Sequence, residues 1–148
     1  MYNNKSENEI LKELYRVAEE NKTQPITSPD HVVLQMKELI SKKTETCIFL
    51  FLDNGNHVIK KKKYHGTVDQ AVVYPRDVAK VAIMCDAKSV IMAHNHPGNS
   101  LQFSDSDKKL TQRIKQGLKL FDISLLDSII ITKSGHISGN NQPFFNYV

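Results

Sequence analysis

Apolar residues fall along this chain in two alternating patterns. Continuous runs suit buried strands, and three-to-four-residue spacing suits helices packed on them. The most apolar run is Cys47-Ile48-Phe49-Leu50-Phe51-Leu52, which reads as a central strand. Asp53-Asn54-Gly55-Asn56 follows with hairpin chemistry, and Val58-Ile59 begins a return strand that continues through Lys60-Lys61-Lys62-Lys63. Val68 to Val73 supply another strand, and Val90-Ile91-Met92-Ala93 a second short buried one. Ser124-Leu125-Leu126 and Ser128-Ile129-Ile130-Ile131 form a further strand with Asp127 inside it, and a short last strand follows a turn at residues 132–135. Phe144, Phe145 and Tyr147 of the tail are expected to pack on the body.

Helical spacing appears between these runs. Ile10, Leu11, Leu14, Val17 and Ala18 mark an amphipathic helix over residues 1 to about 22, with a body or a second subunit, as in a homodimer, to pack on. Ser28-Pro29-Asp30 gives an N-cap with proline at the first helical position, and Val32, Val33, Met36, Leu39 and Ile40 line the helix up to Lys42-Lys43. Pro75-Arg76-Asp77 opens a third helix bearing Val78, Val81, Ala82 and Met84, with Arg76 free to hold a carboxylate or cap a neighbouring helix, a structural role being favoured. Leu110, Ile114, Leu118 and Phe121 predict a long helix from Ser104. This order of elements argues for an α/β fold, a mixed β-sheet flanked by helices. Residues 1–24 are then a leading helix and linker, and residues 25–148 the main domain.

At 148 residues the chain is one domain, large enough to bury a core without cross-links. Its 40% hydrophobic and 24% charged content is that of an ordinary globular protein. No apolar run approaches membrane-spanning length, and the polar, acidic N-terminus has no signal-peptide core. Cys47 and Cys85 sit in apolar stretches and read as buried free thiols, so the expected compartment is the cytoplasm. Net charge is +4, much of it from the four-lysine run. Such a run can mark a nucleic-acid or acidic-partner patch. The favoured reading is a solvated strand edge where lysines discourage pairing.

The candidate chemistry begins where the Val90–Ala93 run ends. His94 and His96, two residues apart, project to the same side of a strand. Asp107 falls in the first turn of the helix that starts near Ser104. Two imidazoles from a strand end and one carboxylate from a helix start can converge on one cation. Three N/O ligands with a fourth position for water is the pattern of a catalytic zinc site. Ser104-x-x-Asp107 also fits a helix N-cap with an acidic residue reaching back, and both readings can hold together. Asp127 needs a partner, because an unpaired acid is costly inside an apolar run. A zinc-ligand imidazole, whose tautomer it would fix, is the favoured partner, and a purely structural hydrogen bond is the alternative.

His94-x-His96 followed by Ser104-x-x-Asp107 resembles the JAMM motif of the JAB/MPN metallohydrolases. The flanking Ile26-Thr27-Ser28-Pro29, Tyr74-Pro75-Arg76-Asp77, Ala93-His94-Asn95-His96-Pro97 and Leu125-Leu126-Asp127 resemble its RadC branch, over roughly Ile26 to Ser138. The resemblance implies a JAB/MPN, cytidine-deaminase-like sandwich and a Zn2+ ion held by His94, His96 and Asp107. It also implies a serine, here Ser104, that hydrogen-bonds the developing oxyanion. An upstream glutamate serves the family as general base, and Glu45, just ahead of the strand ending in Leu52-Asp53, stands at that spacing.

The chain departs from the RadC pattern in three places. His-x-His-Pro-Ser-Gly is here His-x-His-Pro-Gly98-Asn99, Leu-Leu-Asp-His is here Leu-Leu-Asp-Ser128, and the helix–hairpin–helix that many RadC-like proteins carry ahead of this domain is not expected from these residues. DNA contact is therefore expected to be weak. The expected function is zinc-dependent hydrolysis of peptide or isopeptide bonds in a peptide or protein substrate. The alternative is an accessory module in DNA repair or mobile-element biology that keeps the fold without catalysis.

Overall fold

The computed structural model describes residues 6–13, 16, 24–66 and 73–146. Among these residues, five strands form one sheet in the order β2-β1-β3-β4-β5. They are β1 (Thr46–Leu52), β2 (Val58–His65), β3 (Ser89–Asn95), β4 (Ser124–Thr132) and β5 (Gly135–Ser138). Only β3 and β4 run parallel; the other neighbours are antiparallel, so the sheet is mixed. The helices are α1 (Pro29–Gln35), α2 (Glu38–Ser41), α3 (Pro75–Met84) and α4 (Asp105–Lys119), with a 3-10 turn at Pro143–Asn146.

Burial explains why the two continuous apolar runs lie at the centre. All seven residues of β1 and all seven of β3 are buried, because helices cover both faces of the sheet there. Phe49, Phe51, Val90 and Met92 pack with Val78 and Ala82 of α3 and Ile114 and Leu118 of α4. Ile48, Leu50, Leu52, Ile91 and Ala93 pack on Val32, Met36 and Leu39 on the other side. Truncating a fully buried Phe49 to alanine would cost about 3–5 kcal/mol.

Parallel strands need a crossover, and α4 supplies it between β3 and β4. The carboxyl end of β3 therefore meets the amino end of α4. In open α/β sheets, that junction is where ligands collect.

The structure corrects several element boundaries. The helix expected from Ser28 to Lys42 is broken into α1 and α2 at Met36-Lys37. The carbonyl freed at Gln35 accepts the Lys61 ammonium at 2.8 Å, a long-range contact that stabilises the break. Lys63 lies 3.1 Å from Glu38, which also pairs with Lys61. Lys60 and Lys62 turn to the opposite face, where with Tyr64 and Lys80 they line a groove of about 610 Å³. The run is thus half neutralised by α2 and half solvated along the sheet edge.

Arg76 holds a carboxylate, one of the structural roles expected of it, but at the surface. Its side chain is 84% exposed, 4.0 Å from Asp77 and stacked over the Tyr74 ring at 5.4 Å to the centroid. Residues 7–13 are helical with Ile10 and Leu11 exposed; Leu14, Val17 and Ala18 lie outside the described residues. Of the strand expected at Val68–Val73, residues 68–72 also lie outside them, and Val73 is buried but not in a strand. Phe144 and Phe145 are buried as expected, while Tyr147 lies outside the described residues. Cys47 and Cys85 are free thiols. Among the described residues, no helix is long and apolar enough to cross a membrane.

Candidate metal centre

His94 is the sixth residue of β3, and His96 follows directly after the strand. Strand alternation puts both rings on the α4 side, with centroids 4.9 Å apart. Pro97 and Gly98 form a turn closed by the Asn99 N–H donating to His96 O at 2.8 Å. Asn99 adopts φ 62, a left-handed backbone that asparagine tolerates better than other side-chain-bearing residues.

The other half of the site is a helix cap. Ser104 Oγ accepts the Asp107 N–H at 3.0 Å, and the Ser104 N–H donates to Asp107 Oδ2 at 2.8 Å. This reciprocal box satisfies two of the free N–H groups of α4 and locks the carboxylate's direction. Asp107 is thereby aimed at the two imidazoles. His94 Nε2 lies 3.0 Å from Asp107 Oδ1, His96 Nε2 lies 3.0 Å from Oδ2, and the two Nε2 atoms are 3.1 Å apart.

These residues fit a metal ion on chemical grounds. His96 Nδ1 is 2.8 Å from Ser100 O, and a carbonyl can only accept, so Nδ1 carries the proton. In the neutral ring, Nε2 then presents a lone pair toward a carboxylate oxygen. Either a proton on Nε2, which makes the ring an imidazolium paired with the carboxylate, or a metal ion beside the neutral ring satisfies two such atoms at that separation. Ligands about 2.0–2.1 Å from one zinc lie about 3.3 Å apart at tetrahedral angles. The observed separations are within a few tenths of an ångström of that. Among the described residues, His94, His96 and Asp107 are the group of metal-ligating side chains close enough together to hold an ion.

Burial sets the electrostatics. Burial raises the Asp107 carboxyl, but the hydrogen bond and charge of His94, the Ser104 N–H and the charge of His96 outweigh it. The carboxyl is held well below the usual range, ionised and ready to bind a cation. Cys47 pairs with His94 across β1 and β3. Burial pushes its thiol up, and the Asp107 charge adds to the effect, so it remains a neutral wall of the site. His94 is 2% exposed, its ring edge-on to Phe103 at 6.4 Å, and its Nδ1 has no hydrogen-bond partner among the described residues.

Asp127 is a correction. Its Oδ1 accepts the N–H groups of Ser128 at 2.8 Å, Asn140 at 3.0 Å and Gly139 at 3.1 Å, and its Oδ2 accepts the Ser138 hydroxyl. These bonds tie β4 to the end of β5, and neither imidazole is among its partners. Burial holds its carboxyl above the usual range, against the opposing pull of those bonds. The outer acceptor found in the site is instead the Ser100 carbonyl on His96, which no side-chain pattern could signal. Ser128, at the position where the related pattern has histidine, accepts the Thr111 hydroxyl at 3.1 Å inside the core.

Glu45 is half-buried one residue before β1, with its carbonyl accepting the Gly66 N–H at 3.1 Å. It stands two residues before Cys47, the β1 residue paired with His94.

Comparison with known proteins completes this picture. The family model of the RadC-like JAB domain matches residues 26–143. A UPF0758 protein of Histophilus somni is 42% identical over 130 residues, covering 86% of this chain and 59% of the relative. One from Haemophilus ducreyi is 38% identical over 121 residues, covering 80% and 54%. One from Actinobacillus pleuropneumoniae serotype 5b is 40% identical over 108 residues, covering 72% and 49%. The chain thus spans between 49% and 59% of the length of these relatives. A match across the sheet, the cap and both histidines means that this chain belongs to the RadC-like JAB domain family.

Proposed function

We propose that the domain is a zinc-dependent hydrolase of peptide or isopeptide bonds in a peptide or protein substrate. The observation that carries this reading is the convergence of His94 Nε2, His96 Nε2 and the Asp107 carboxylate within about 3 Å of one another at the β3–α4 junction. His94, His96 and Asp107 would hold the ion. Bound there, zinc supplies Lewis-acid polarisation and brings water's pKa toward neutrality.

The remaining work belongs to the chain's own groups. Glu45 accepts the proton of the attacking water and returns it to the leaving nitrogen. Ser104 stands at the exposed edge of the site, its oxygen accepting the Asp107 N–H. Its own hydroxyl proton can be donated to the oxyanion that develops on the scissile carbonyl. Ser100 O keeps His96 in the tautomer with a free Nε2.

The test uses zinc-loaded and chelated protein on a panel of model peptides and isopeptides, with Glu45→Gln as the variant. Glutamine keeps the size and hydrogen bonds of glutamate but cannot take the proton. The expected result is zinc-dependent cleavage that falls by a factor of about 100 or more in Glu45→Gln, with fold and zinc content unchanged. Full activity of Glu45→Gln would remove Glu45 from this role. A zinc-loaded parent that cleaves nothing on the panel would favour the accessory, non-catalytic reading.

A further inference from the structure

Asn95 stands between the two histidines in sequence, and strand alternation turns it to the opposite face of β3. It is 2% exposed, a polar side chain sealed inside the molecule. Its carboxamide makes three hydrogen bonds, all to the backbone of the short segment that enters β1. Oδ1 accepts the Thr46 N–H at 2.7 Å, and Nδ2 donates to Thr44 O at 3.0 Å and Lys42 O at 3.2 Å. A flipped amide would set its NH2 against an N–H and its oxygen against two carbonyls, so the orientation is determined.

Glu45 lies inside the segment that these bonds grip. On its other side, the Glu45 carbonyl accepts the Gly66 N–H. Residue 45 is therefore held between the end of β2 and the side chain of Asn95. The three residues 94–96 at the end of β3 thus carry two imidazoles on one side and grip the approach of the glutamate from the other.

We infer that Asn95 is a positioning residue that sets the place of Glu45 beside the His94–His96–Asp107 cluster. The inference rests on the reading of Glu45 as the proton acceptor. Each bond adds only modestly to stability. Geometry is the larger consequence, since a displacement of about 1 Å at a reacting group can cost a factor of about 100 in rate. Aspartate at 95 would keep the acceptor for Thr46 but lose both donors and face two carbonyl oxygens with a carboxylate. Serine would be too short to reach the segment.

The experiment loads the full chain with Co2+ as a paramagnetic probe and observes the carboxyl carbon of Glu45 by 13C NMR. It compares the parent with Asn95→Asp and Asn95→Ser, and amide exchange at Thr46 is followed in parallel. In the parent, Co2+ should broaden or shift the Glu45 signal strongly. Both variants should keep one Co2+ with an unchanged visible spectrum, lose most of the effect at Glu45, and exchange the Thr46 amide at least several-fold faster. If one variant fails to fold, the other decides. A parent signal that Co2+ affects and that neither substitution changes would overturn the positioning role alone. A parent Glu45 signal untouched by Co2+ would overturn the proton-acceptor reading, and this inference with it.

Discussion

Ser104 and Asp107 hold each other through two reciprocal hydrogen bonds, and the carboxylate that results is the one facing both imidazoles. A helix cap and a metal-ligand scaffold are thus one device. Its two consequences can be measured apart. Ser104→Ala should cost about 1 kcal/mol of stability in chelated protein, the usual price of a lost N-cap. It should also weaken zinc binding by roughly tenfold or more, as removal of an orienting partner does. Urea denaturation reads the first and competition with a chromophoric chelator reads the second. Ser104→Thr should restore both, and a Ser104→Ala protein unchanged in either would separate the cap from the site.

Much of this was readable from the chain because the relevant signals are local. The β1 and β3 runs are apolar without interruption since both sheet faces are covered there. The ligand set needs only a strand period, a turn and a helix start. What escaped reading depends on register between distant segments. Met36-Lys37 breaks a helix whose apolar spacing is continuous, and Lys61 reaches back to the freed carbonyl from another strand. Asp127 finds its partners only because the β4–β5 hairpin returns Ser138, Gly139 and Asn140 to it. Asn95 resembles a spacer between two histidines until the approach to β1 is placed beside it.

The Asp127 bonds make a prediction that separates stability from metal binding. Asp127→Ala would take this acceptor from the N–H groups of Ser128 and Asn140, while the Gly139 N–H keeps its bond to Ser128 O at 2.7 Å. At about 1–3 kcal/mol for each unsatisfied buried group, the loss should be roughly 2 kcal/mol or more. Zinc affinity of the folded fraction should stay within about threefold, because removing an orienting partner of a ligand would cost ten- to a hundredfold. Chemical denaturation and a zinc competition assay on the same variant decide. Weakened zinc with undiminished stability would restore Asp127 as partner of an imidazole.

The lysine run should divide by face. Lys61 and Lys63 both pair with Glu38, but these side chains are partly exposed, so each alanine substitution should cost at most about 1 kcal/mol. Lys60→Ala and Lys62→Ala should leave thermal stability unchanged. Binding of duplex DNA should be weak and fall steeply with salt, as expected of surface charge without base-reading groups. Tight binding at physiological salt, abolished by replacing Lys60 to Lys63 with serine, would identify the run as a nucleic-acid site.

Acid stability of the chelated protein should report on Asp107. Burial alone would raise its carboxyl, but the His94 bond, the Ser104 N–H and the imidazole charges hold it below the ordinary 3.8. A carboxyl depressed by folding binds its proton more readily in the unfolded chain. Its stabilisation is therefore complete above the unfolded value and is lost as pH falls below about 4 toward the folded one. Asp107→Asn cannot ionise, so it should lower stability at neutral pH and flatten the acid limb of the profile. Thermal denaturation in the presence of chelator, from pH 6 down to about pH 2, measures both effects. Equal slopes for the parent and Asp107→Asn would show that other carboxyls govern acid unfolding. A parent that gained stability on acidification through this range, while Asp107→Asn did not, would contradict the sign of the shift.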